Sequence, residues 1–414
     1  MRSADDAGLT KGPACILHIE VGGSYGGSAK ALETFLKYSD RQRLCHDVLF
    51  HREPPQAGAL RSFADRVYAL EGPATAKPEH NAPGGTPADA GLFKRLGRPI
   101  ARTRAAQQLF EAASLLRAFP LVRRIRRIIE EGGYDVAHVN NTFTYGAPGL
   151  LAAWLAGKPV LAHVRNPVDP SPLARWLASK ASCIVSVNQR YASELRAAGI
   201  TRPIQTVLDA VEAEEPSPRE VARVRRELLP EGGILIGAVG RLDRQKDYET
   251  LIEAAAIVRR THPNARFVVA GEGPLRVQLQ DRIARLGLGG GFLLAGFRTD
   301  ATALTAALDV LVSSSLWEGL PLSLIVAALL ERPIVSTAVG GIPELIRPGE
   351  SGLLVAPGAP MVLAGAIDTV IQMGPEKKRG LGLAARRSAE RFTDAKGLAA
   401  ELDTILIGSA LAHR

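Results

Sequence analysis

Cysteine is scarce in this sequence, and no apolar run is long enough to cross a bilayer. Three of the 414 residues are cysteines: Cys15, Cys45 and Cys183. Their odd number and wide spacing argue against a disulfide framework or a zinc site and favour a reducing cytoplasm. The uncharged stretch 142–157 is too short to span a membrane and is interrupted by glycine and proline. The N-terminal residues MRSADDAGLTKGP are polar and acidic, so we expect no signal peptide.

Two familiar nucleotide-binding signatures are also missing. The glycine turn at 22–27 lacks the G-x-G-x-x-G spacing, and no acidic residue is placed to bind a dinucleotide ribose. The segment GRLDRQKD, at 240–247, lacks the spacing and the Gly-Lys-Ser/Thr end of a P-loop. Any phosphate site in this chain must therefore use another loop geometry.

The positive charge is concentrated in one segment. The chain has a net charge of +9, and residues 92–131, with ten Lys or Arg and three Glu, account for +7 of it. A protein that binds nucleic acid is typically basic over its whole binding face, with aromatic residues among the cations. No aromatics interleave the bases here in that way, so we predict no nucleic-acid partner.

Apolar residues in this basic segment recur at helical spacing on both sides of Pro120. One interpretation is a pair of outer helices packed on a sheet, with a solvated basic rim. The other is a basic amphipathic surface that rests on anionic lipid. We favour the second, because a local charge of +7 exceeds what solubility requires. The apolar positions are Leu109, Ala112, Leu116, Phe119, Val122, Ile125 and Ile129.

The rest of the chain alternates apolar strands with amphipathic helices, in two successive halves. Such alternation predicts parallel sheets with ligands at the carboxyl ends of the strands. A composition of 46% hydrophobic and 22% charged residues is that of a globular protein, and the length allows two or three domains. Predicted strands of the first half are 14–21, 46–51, 66–70, 135–140, 159–164, 182–188 and 204–208; those of the second half begin with 234–239, 266–270, 292–295, 309–312 and 333–337.

Two loops of the second half combine charged side chains with a helix N-terminus. Arg241 and Lys246 lie in the turn between strand 234–239 and the helix that follows it. Glu318 and Gly319 stand just ahead of a helix that Pro321 heads. Fixed cations and the free N–H groups of a helix N-terminus both suit a diphosphate.

These loops resemble those of the retaining GT-B glycosyltransferases, the group often called glycosyltransferase family 4. The resemblance spans nearly the whole chain, and its specific motifs lie in the second half. Two positions depart from the family pattern. Val326 stands where the family has a second Glu that binds the donor ribose, and Glu331 stands where it has Gly. Matching residues are Gly240, Arg241, Leu242, Lys246, Ser315, Glu318, Gly319, Arg332, Pro333, Gly340, Gly341 and Glu344.

The resemblance implies an α/β protein with the GT-B fold, in which two Rossmann-like domains face a central cleft. The expected domains are an N-terminal acceptor-binding domain at 1–208, with the basic helical insertion 92–131, and a nucleotide-sugar-binding domain at 219–390. The acidic, proline-containing stretch 209–218 is expected to link them. The segment 391–414 is expected to form a C-terminal helix that crosses back to the first domain.

The resemblance also implies a function: transfer of a sugar, with retention, from a UDP- or GDP-sugar to a glycan or lipid-linked acceptor. We expect no bound metal or cofactor, since no Asp-x-Asp motif stands in the loops assigned to the cleft. The setting would be surface polysaccharide or glycolipid synthesis, in the cytoplasm or on the inner face of the membrane. Implied catalytic residues are Glu318, Arg241, Lys246 and His163; donor-binding residues are Gly240, Gly296, Phe297, Ser315, Gly319, Leu320, Pro321 and Val326; and Gly26 and Gly27 form a cleft glycine loop.

Several alternatives stay open at this point. A histidine near a strand end, such as His163, is often only a buried structural residue. Val326 is compatible with an active enzyme that binds its donor weakly, with a different class of donor, or with a degenerate GT-B protein that serves as a non-catalytic binding or regulatory partner. Retention of the two cations and Glu318 favours activity. An epimerase or a phosphorylase on the same fold is also compatible with the sequence.

Overall fold

The computed structural model describes residues 12–20, 26–52, 58–71, 113 and 115–413 and divides the chain into two compact units. The first unit contains the residues up to Ala210 and returns at Ala395 to include the C-terminal segment. The second unit is Val211–Asp394. The predicted first domain, 1–208, ends two residues before this boundary, and the chain does return to the first unit at its C-terminus.

The first unit is built on a seven-stranded parallel sheet with the order β3-β2-β1-β4-β5-β6-β7. The order reverses between β1 and β4, which makes a topological switch point there. The strands are β1 (Ala14–Glu20), β2 (Leu44–Arg52), β3 (Arg66–Glu71), β4 (Val136–Val139), β5 (Val160–Val164), β6 (Cys183–Ser186) and β7 (Ile204–Thr206).

Helices cover both faces of this sheet because its strands are apolar on both sides. Leu17 and Ile19 of β1 point into one core with the helices that follow β3, and Ile16 points into the other with the first and last helices. The helices are α1 (Gly27–Tyr38), α2 (Phe119–Gly132), α3 (Ala147–Leu155), α4 (Pro172–Ala178), α5 (Gln189–Ala197) and the C-terminal helix, numbered α14 below (Ala395–Leu411).

The second unit repeats the theme with a six-stranded parallel sheet of order β10-β9-β8-β11-β12-β13, which reverses between β8 and β11. Its strands are β8 (Ile234–Val239), β9 (Ala265–Ala270), β10 (Phe292–Gly296), β11 (Val310–Ser313), β12 (Ile334–Thr337) and β13 (Leu353–Val355). Its helices are α6 (Pro218–Leu228), α7 (Tyr248–Thr261), α8 (Arg276–Arg285), α9 (Ala301–Ala307), α10 (Leu322–Leu329), α11 (Ile342–Leu345), α12 (Pro360–Gln372) and α13 (Pro375–Ala389).

Helix α6 begins inside the stretch that the sequence analysis assigned to a linker. Ser217 accepts a hydrogen bond from the Glu220 N–H, and the Glu220 carboxylate accepts one from the Ser217 N–H, which is a complete capping box. Pro218 occupies the first helical position. This signal, Ser-Pro-x-Glu, was readable in the sequence and was missed. Pro321, expected at the first helical position of α10, is instead its N-cap.

The prediction that the cysteines form no disulfide is wrong for one pair. Cys15 of β1 and Cys45 of β2 stand directly opposite each other in the parallel register, and their sulfur atoms are joined. The third, Cys183, is buried with a free thiol. A separation of 30 residues suggested that the pair was far apart, but neighbouring parallel strands bring such residues together whatever the length of their connection.

Of the predicted basic insertion 92–131, the structure describes residue 113 and residues 115–131, and the rest lies outside the described residues. Helix α2 buries Val122, Ile125 and Ile129 against the sheet. Its arginines, at 123, 124, 126 and 127, are exposed. The expected amphipathic division is therefore present. Within the described residues, each helix is too short or too polar to span a bilayer.

Helix α10 ends in an unusual backbone conformation. Glu331, one residue after the C-cap, has φ 57°, the left-handed region in which glycine is favoured. The GT-B pattern has Gly at this position. Glu331 instead carries a Cβ, which is strained in the left-handed conformation.

We therefore expect Glu331→Gly to be more stable than Glu331→Ala by about 1 kcal/mol, measured by urea denaturation. Both variants lose the ion pair of Glu331 with Arg386, at 3.1 Å, so the difference reports the backbone alone. Equal stabilities would contradict this explanation of the left-handed residue.

Candidate functional site

The residues predicted to bind the donor phosphate gather at the switch point of the second sheet. Strands β8 and β11 are hydrogen-bonded neighbours, and the order of the sheet reverses between them. Loop 240–247 leaves the carboxyl end of β8, and loop 314–321 leaves that of β11. Open parallel sheets bind ligands at such a crevice because the two loops diverge to opposite faces.

An ion pair joins these two loops. Lys246 Nζ lies 2.5 Å from Glu318 Oε1, and the two side chains are only 18% and 6% exposed. Ser315 Oγ donates to the same carboxylate oxygen at 2.7 Å, and Gln245 Nε2 donates to the other at 3.2 Å. Glu318 is therefore held in place by three side chains. Gln245, which also donates to the Trp317 carbonyl, was not identified from the sequence.

The lysine depends on a glycine for its position. A Cβ built on Gly240 would lie 3.1 Å from Lys246 Cε and 2.9 Å from the Tyr248 hydroxyl. Residues 244–246 form a short 3-10 turn that Asp243 caps, and Asp247 then adopts φ 46°. Left-handed backbone at a residue other than glycine is frequent at functional sites. The loop thus turns sharply enough to direct Lys246 back over the end of β8.

Hydrogen bonds from Ser314, the first residue after β11, and from Thr337 of β12 fix the remaining parts of the two loops. Ser314 Oγ donates to the Lys246 carbonyl at 2.7 Å, and Thr337 Oγ1 donates to the Ser315 carbonyl at 2.7 Å. Tyr248 is fully buried beside them, and its burial and the Glu318 charge raise its pKa. A small cavity lies at this point, lined by Lys246, Tyr248 and the serines 313, 314, 315 and 323.

Arg241 stands apart from the Lys246–Glu318 pair. Its side chain is half exposed, and its Nε lies 3.7 Å from Asp243 Oδ2. The structure therefore brings Lys246, Ser315 and Glu318 together and leaves Arg241 at the solvent side of the same loop.

The other predicted donor residues of this unit follow β10 and β11. The Gly319 carbonyl accepts from the Gly341 N–H at 2.8 Å, and Leu320 and Pro321 are buried. Val326 lies one turn after Ser323 on α10 and is partly exposed. Gly296 ends β10 with φ 77°, and Phe297 beyond it is 66% exposed. An exposed aromatic ring at the end of a strand is chemically suited to stack on a base.

In the first unit, the predicted residues lie around the switch point between β1 and β4. Gly26 is the N-cap of α1 and Gly27 its first residue. An added Cβ at either would meet no described atom within 4 Å. The remaining residues of the glycine turn, 21–25, lie outside the described residues. His163 is in β5, 1% exposed.

A buried polar network at the carboxyl ends of β1, β4 and β5 was largely missed by the sequence analysis. Asn140 donates to Glu20 Oε2 at 2.7 Å and accepts from Arg165 at 3.0 Å. Arg165 also pairs with Asp209, a residue that the sequence analysis placed in the linker. The signal available in the sequence was a set of residues of mixed charge at the ends of these strands.

Within the described residues, no group of three or more His, Cys, Asp or Glu side chains has a geometry that would hold a metal ion.

Family models match both halves of the chain. The model described as "Glycosyl transferases group 1" matches residues 222–388, and the model described as "Glycosyltransferase Family 4" matches residues 66–215. The first match covers both loops of the second unit, and the second covers β4, β5 and Asp209.

Similar proteins support the same grouping. "Putative glycosyltransferase EpsD" of Bacillus subtilis strain 168 is 30% identical over 296 residues, which cover 66% of this chain and 77% of that protein. "2-deoxystreptamine glucosyltransferase" of Streptomyces kanamyceticus is 33% identical over 205 residues, 48% of this chain and 53% of that protein. Among solved structures, Anabaena Alr3699/HepE in complex with UDP-glucose superposes with a TM-score of 0.73 at 22% identity, over 95% of this chain and 99% of that one.

Proposed function

This chain belongs to the GT-B glycosyltransferases, and from that premise we propose that it transfers a hexose, with retention of configuration, from a UDP-sugar to a glycan or lipid-linked acceptor. The observation that carries the proposal is the Lys246–Glu318 pair at the switch point of the second sheet. The Anabaena neighbour was solved with UDP-glucose, which supports UDP as the nucleotide. The name of EpsD supports sugar transfer, and surface polysaccharide or glycolipid synthesis is the proposed setting.

Electrostatic stabilisation of the leaving diphosphate is the main catalytic contribution that these residues offer. Lys246 supplies a fixed ammonium, and an ammonium has three N–H donors, so its bond to Glu318 leaves donors for phosphate oxygens. The N-terminus of α10 adds free N–H groups, and Arg241 adds a second cation from the same loop. These groups do the work for which other enzymes use a metal ion, so we propose that no metal or cofactor is required.

Glu318 is placed to accept hydrogen bonds from the hydroxyls of the donor sugar. A buried carboxylate discriminates between sugars because a hydroxyl in the wrong position leaves it unpaired. Proton removal from the acceptor is assigned to the leaving diphosphate, since it is the base that the reaction itself delivers next to the acceptor hydroxyl. Gly296 and Phe297 are proposed to bind the base.

Binding of nucleotide sugars tests the proposal directly. UDP-glucose and UDP at about 100 times their dissociation constants should stabilise the native protein by about 2.7 kcal/mol, a shift of several degrees in Tm. Release of UDP in the presence of a candidate acceptor, measured by chromatography, then reports turnover. Failure of every UDP- and GDP-sugar to shift Tm would contradict the proposal.

We also propose that the exposed arginines of α2 hold the enzyme on the anionic inner face of the cell membrane. Each cation near such a surface contributes about 1 kcal/mol, so replacing four of them should weaken vesicle binding on the order of a hundredfold or more. The variant replaces four arginines with Gln: Arg123, Arg124, Arg126 and Arg127.

Flotation with phosphatidylserine-containing vesicles at low salt measures this effect. A matched control removes four exposed cations of the second unit, Arg219, Arg226, Lys377 and Arg379, each to Gln. The control should float as the native protein does. Equal loss in both variants would show a non-specific charge effect, and no flotation of the native protein at any salt concentration would refute the membrane proposal.

A further inference from the structure

Four histidines form a line across the middle of the first sheet. They lie on four neighbouring strands, His46 on β2, His18 on β1, His138 on β4 and His163 on β5. In each strand the residues next to the histidine point toward the core on the side of α2 and α3. Because successive side chains of a strand point to opposite faces, all four histidines point to the face covered by α1 and α14. Each is at most 1% exposed. Of the four, only His163 was singled out in the sequence, and it was not connected to the others.

The imidazole rings are hydrogen-bonded in an unbroken series. His46 Nδ1 lies 2.9 Å from His18 Nε2, and His18 Nδ1 lies 2.8 Å from His138 Nδ1. His138 Nε2 in turn lies 3.2 Å from His163 Nδ1. We call this series the histidine chain. The register explains it, since His18 pairs directly with His138 in the ladder and the outer two histidines lie one side-chain period away.

All four rings are neutral. Burial lowers the pKa of His46 to about 3 and the pKa values of His18, His138 and His163 well below the usual 6.5. A neutral imidazole has one N–H donor and one bare acceptor nitrogen. The donor direction of any one bond in the chain therefore determines the direction of all the others.

The His46 end of the histidine chain is anchored, through Ser39, by the carboxylate of Asp403 on α14. Ser39 Oγ donates to Asp403 Oδ1 at 2.6 Å, and the Asp40 N–H donates to Asp403 Oδ2 at 2.8 Å. Because the Ser39 proton is used by Asp403, its oxygen must accept from His46 Nε2, which lies 2.8 Å away.

From that anchor the direction follows ring by ring. His46 carries its proton on Nε2, so its bare Nδ1 accepts from His18 Nε2. His18 Nδ1 then accepts from His138 Nδ1, and His138 Nε2 accepts from His163 Nδ1. His163 is left with a bare Nε2.

That nitrogen is buried and has no hydrogen-bond partner among the described residues. His163 also lines a cavity of about 20 Å³, together with Asn140, Arg165 and Asp209. Such a volume admits a single oxygen-sized group. A bare ring nitrogen in this position is suited to accept from a hydroxyl group.

We propose that Asp403 is a positioning residue that acts on His163 through Ser39 and the histidine chain. It holds His163 in the Nδ1–H tautomer, so that Nε2 is the acceptor for a hydroxyl group of the ligand. This inference rests on the proposed function in one respect: the ligand is a sugar substrate, whose hydroxyl groups are the donors that Nε2 would accept from. The opposing influence is Arg165, whose Nη2 lies 3.5 Å from His163 Nδ1 and would favour a bare nitrogen there. His163 Nδ1 lies closer to His138 Nε2, at 3.2 Å, than to Arg165, so the influence of the guanidinium is the weaker one.

Asp403→Asn provides a sharp test because the amide reverses the direction of every hydrogen bond along the histidine chain. One atom of the substituted amide must still accept from the Asp40 N–H, so the amide oxygen takes that place and the NH2 group faces Ser39. Ser39 then donates to His46 Nε2, every later bond inverts, and His163 Nε2 becomes a donor. Ser39→Ala is the matched control, since without the hydroxyl Asp403→Asn has no connection to His46.

Nitrogen-15 NMR of the full chain labelled at histidine reports each tautomer, with His163→Gln to assign the signal. We expect an Nδ1–H tautomer of His163 in the native protein, an Nε2–H tautomer in D403N, and no effect of D403N when Ser39 is already alanine. A protonated Nε2 in the native protein overturns the proposal even if D403N does not fold, and an unchanged tautomer in folded D403N also overturns it.

The ligand side is tested by affinity for UDP-glucose relative to UDP. When His163 Nε2 becomes a donor in D403N, the ratio of the affinity for UDP-glucose to the affinity for UDP should fall by about tenfold. The affinity for UDP itself should not change. An unchanged ratio despite a reversed tautomer would refute the sugar contact. If the native protein binds neither ligand, the proposed function fails while the tautomer measurement still decides the histidine chain.

Discussion

Lys246→Ala is expected to reduce turnover of UDP-glucose by about a hundredfold or more. Removing one preorganised charge from a developing anion typically has an effect of this size. The change also leaves the buried Glu318 carboxylate without its cation, so the free energy of unfolding should fall by about 3 kcal/mol or more. Steady-state kinetics and urea denaturation measure the two effects separately.

Two further variants distinguish charge from packing and from general loop damage. Lys246→Met keeps the aliphatic stem that packs over Gly240, so it should be as inactive as the alanine variant if the charge is what matters. Arg244→Ala removes an exposed cation from the same turn and should retain native turnover. Activity restored by Met, or lost equally in R244A, would contradict the assignment of Lys246.

Gly271→Ala is expected to destabilise the second unit by about 3 kcal/mol or more. Gly271 follows β9 with φ 156°, and an added Cβ would lie 1.9 Å from the Gly240 carbonyl oxygen. The clash is with backbone, which does not move aside as a flexible side chain does. The displaced segment carries Gly240, so binding of UDP should weaken as well.

Gly365→Ala is the matched control for this substitution. Gly365 lies inside α12, has an ordinary φ and would place its Cβ in open space, so alanine should raise the free energy of unfolding by about 0.5–1 kcal/mol. Opposite signs at the two glycines are expected in urea denaturation. A loss of less than about 1 kcal/mol in G271A would show that the loop relaxes easily and is not rigidly held.

Much of the second unit could be predicted because its signals are local. Apolar runs placed β8, β9 and β12 within one residue of their observed bounds. Lys246 and Glu318 were singled out by the motifs around them, but their bond was not foreseen. Those residues are 72 positions apart in sequence, and only the pairing of β8 with β11 makes their loops neighbours.

The first unit shows the opposite case. His18 and His46 sit inside apolar strands, where a single polar residue reads as an exception to the pattern and not as part of a network. Cys15 and Cys45 were misjudged for the same reason. In both cases residues from distant parts of the chain meet because adjacent parallel strands share a register, which no local pattern encodes.

The sequence by itself determined the two α/β halves, the loops that carry Lys246 and Glu318, and the amphipathic character of α2, because each depends on residue type and spacing within one element. Only the tertiary structure decided which of these groups touch: the Lys246–Glu318 pair, the Arg165–Asp209 pair and the line of histidines that ends at Asp403. The physical reason is that crossover connections set strand order and register through packing of the helices on the sheet, a property of the whole domain.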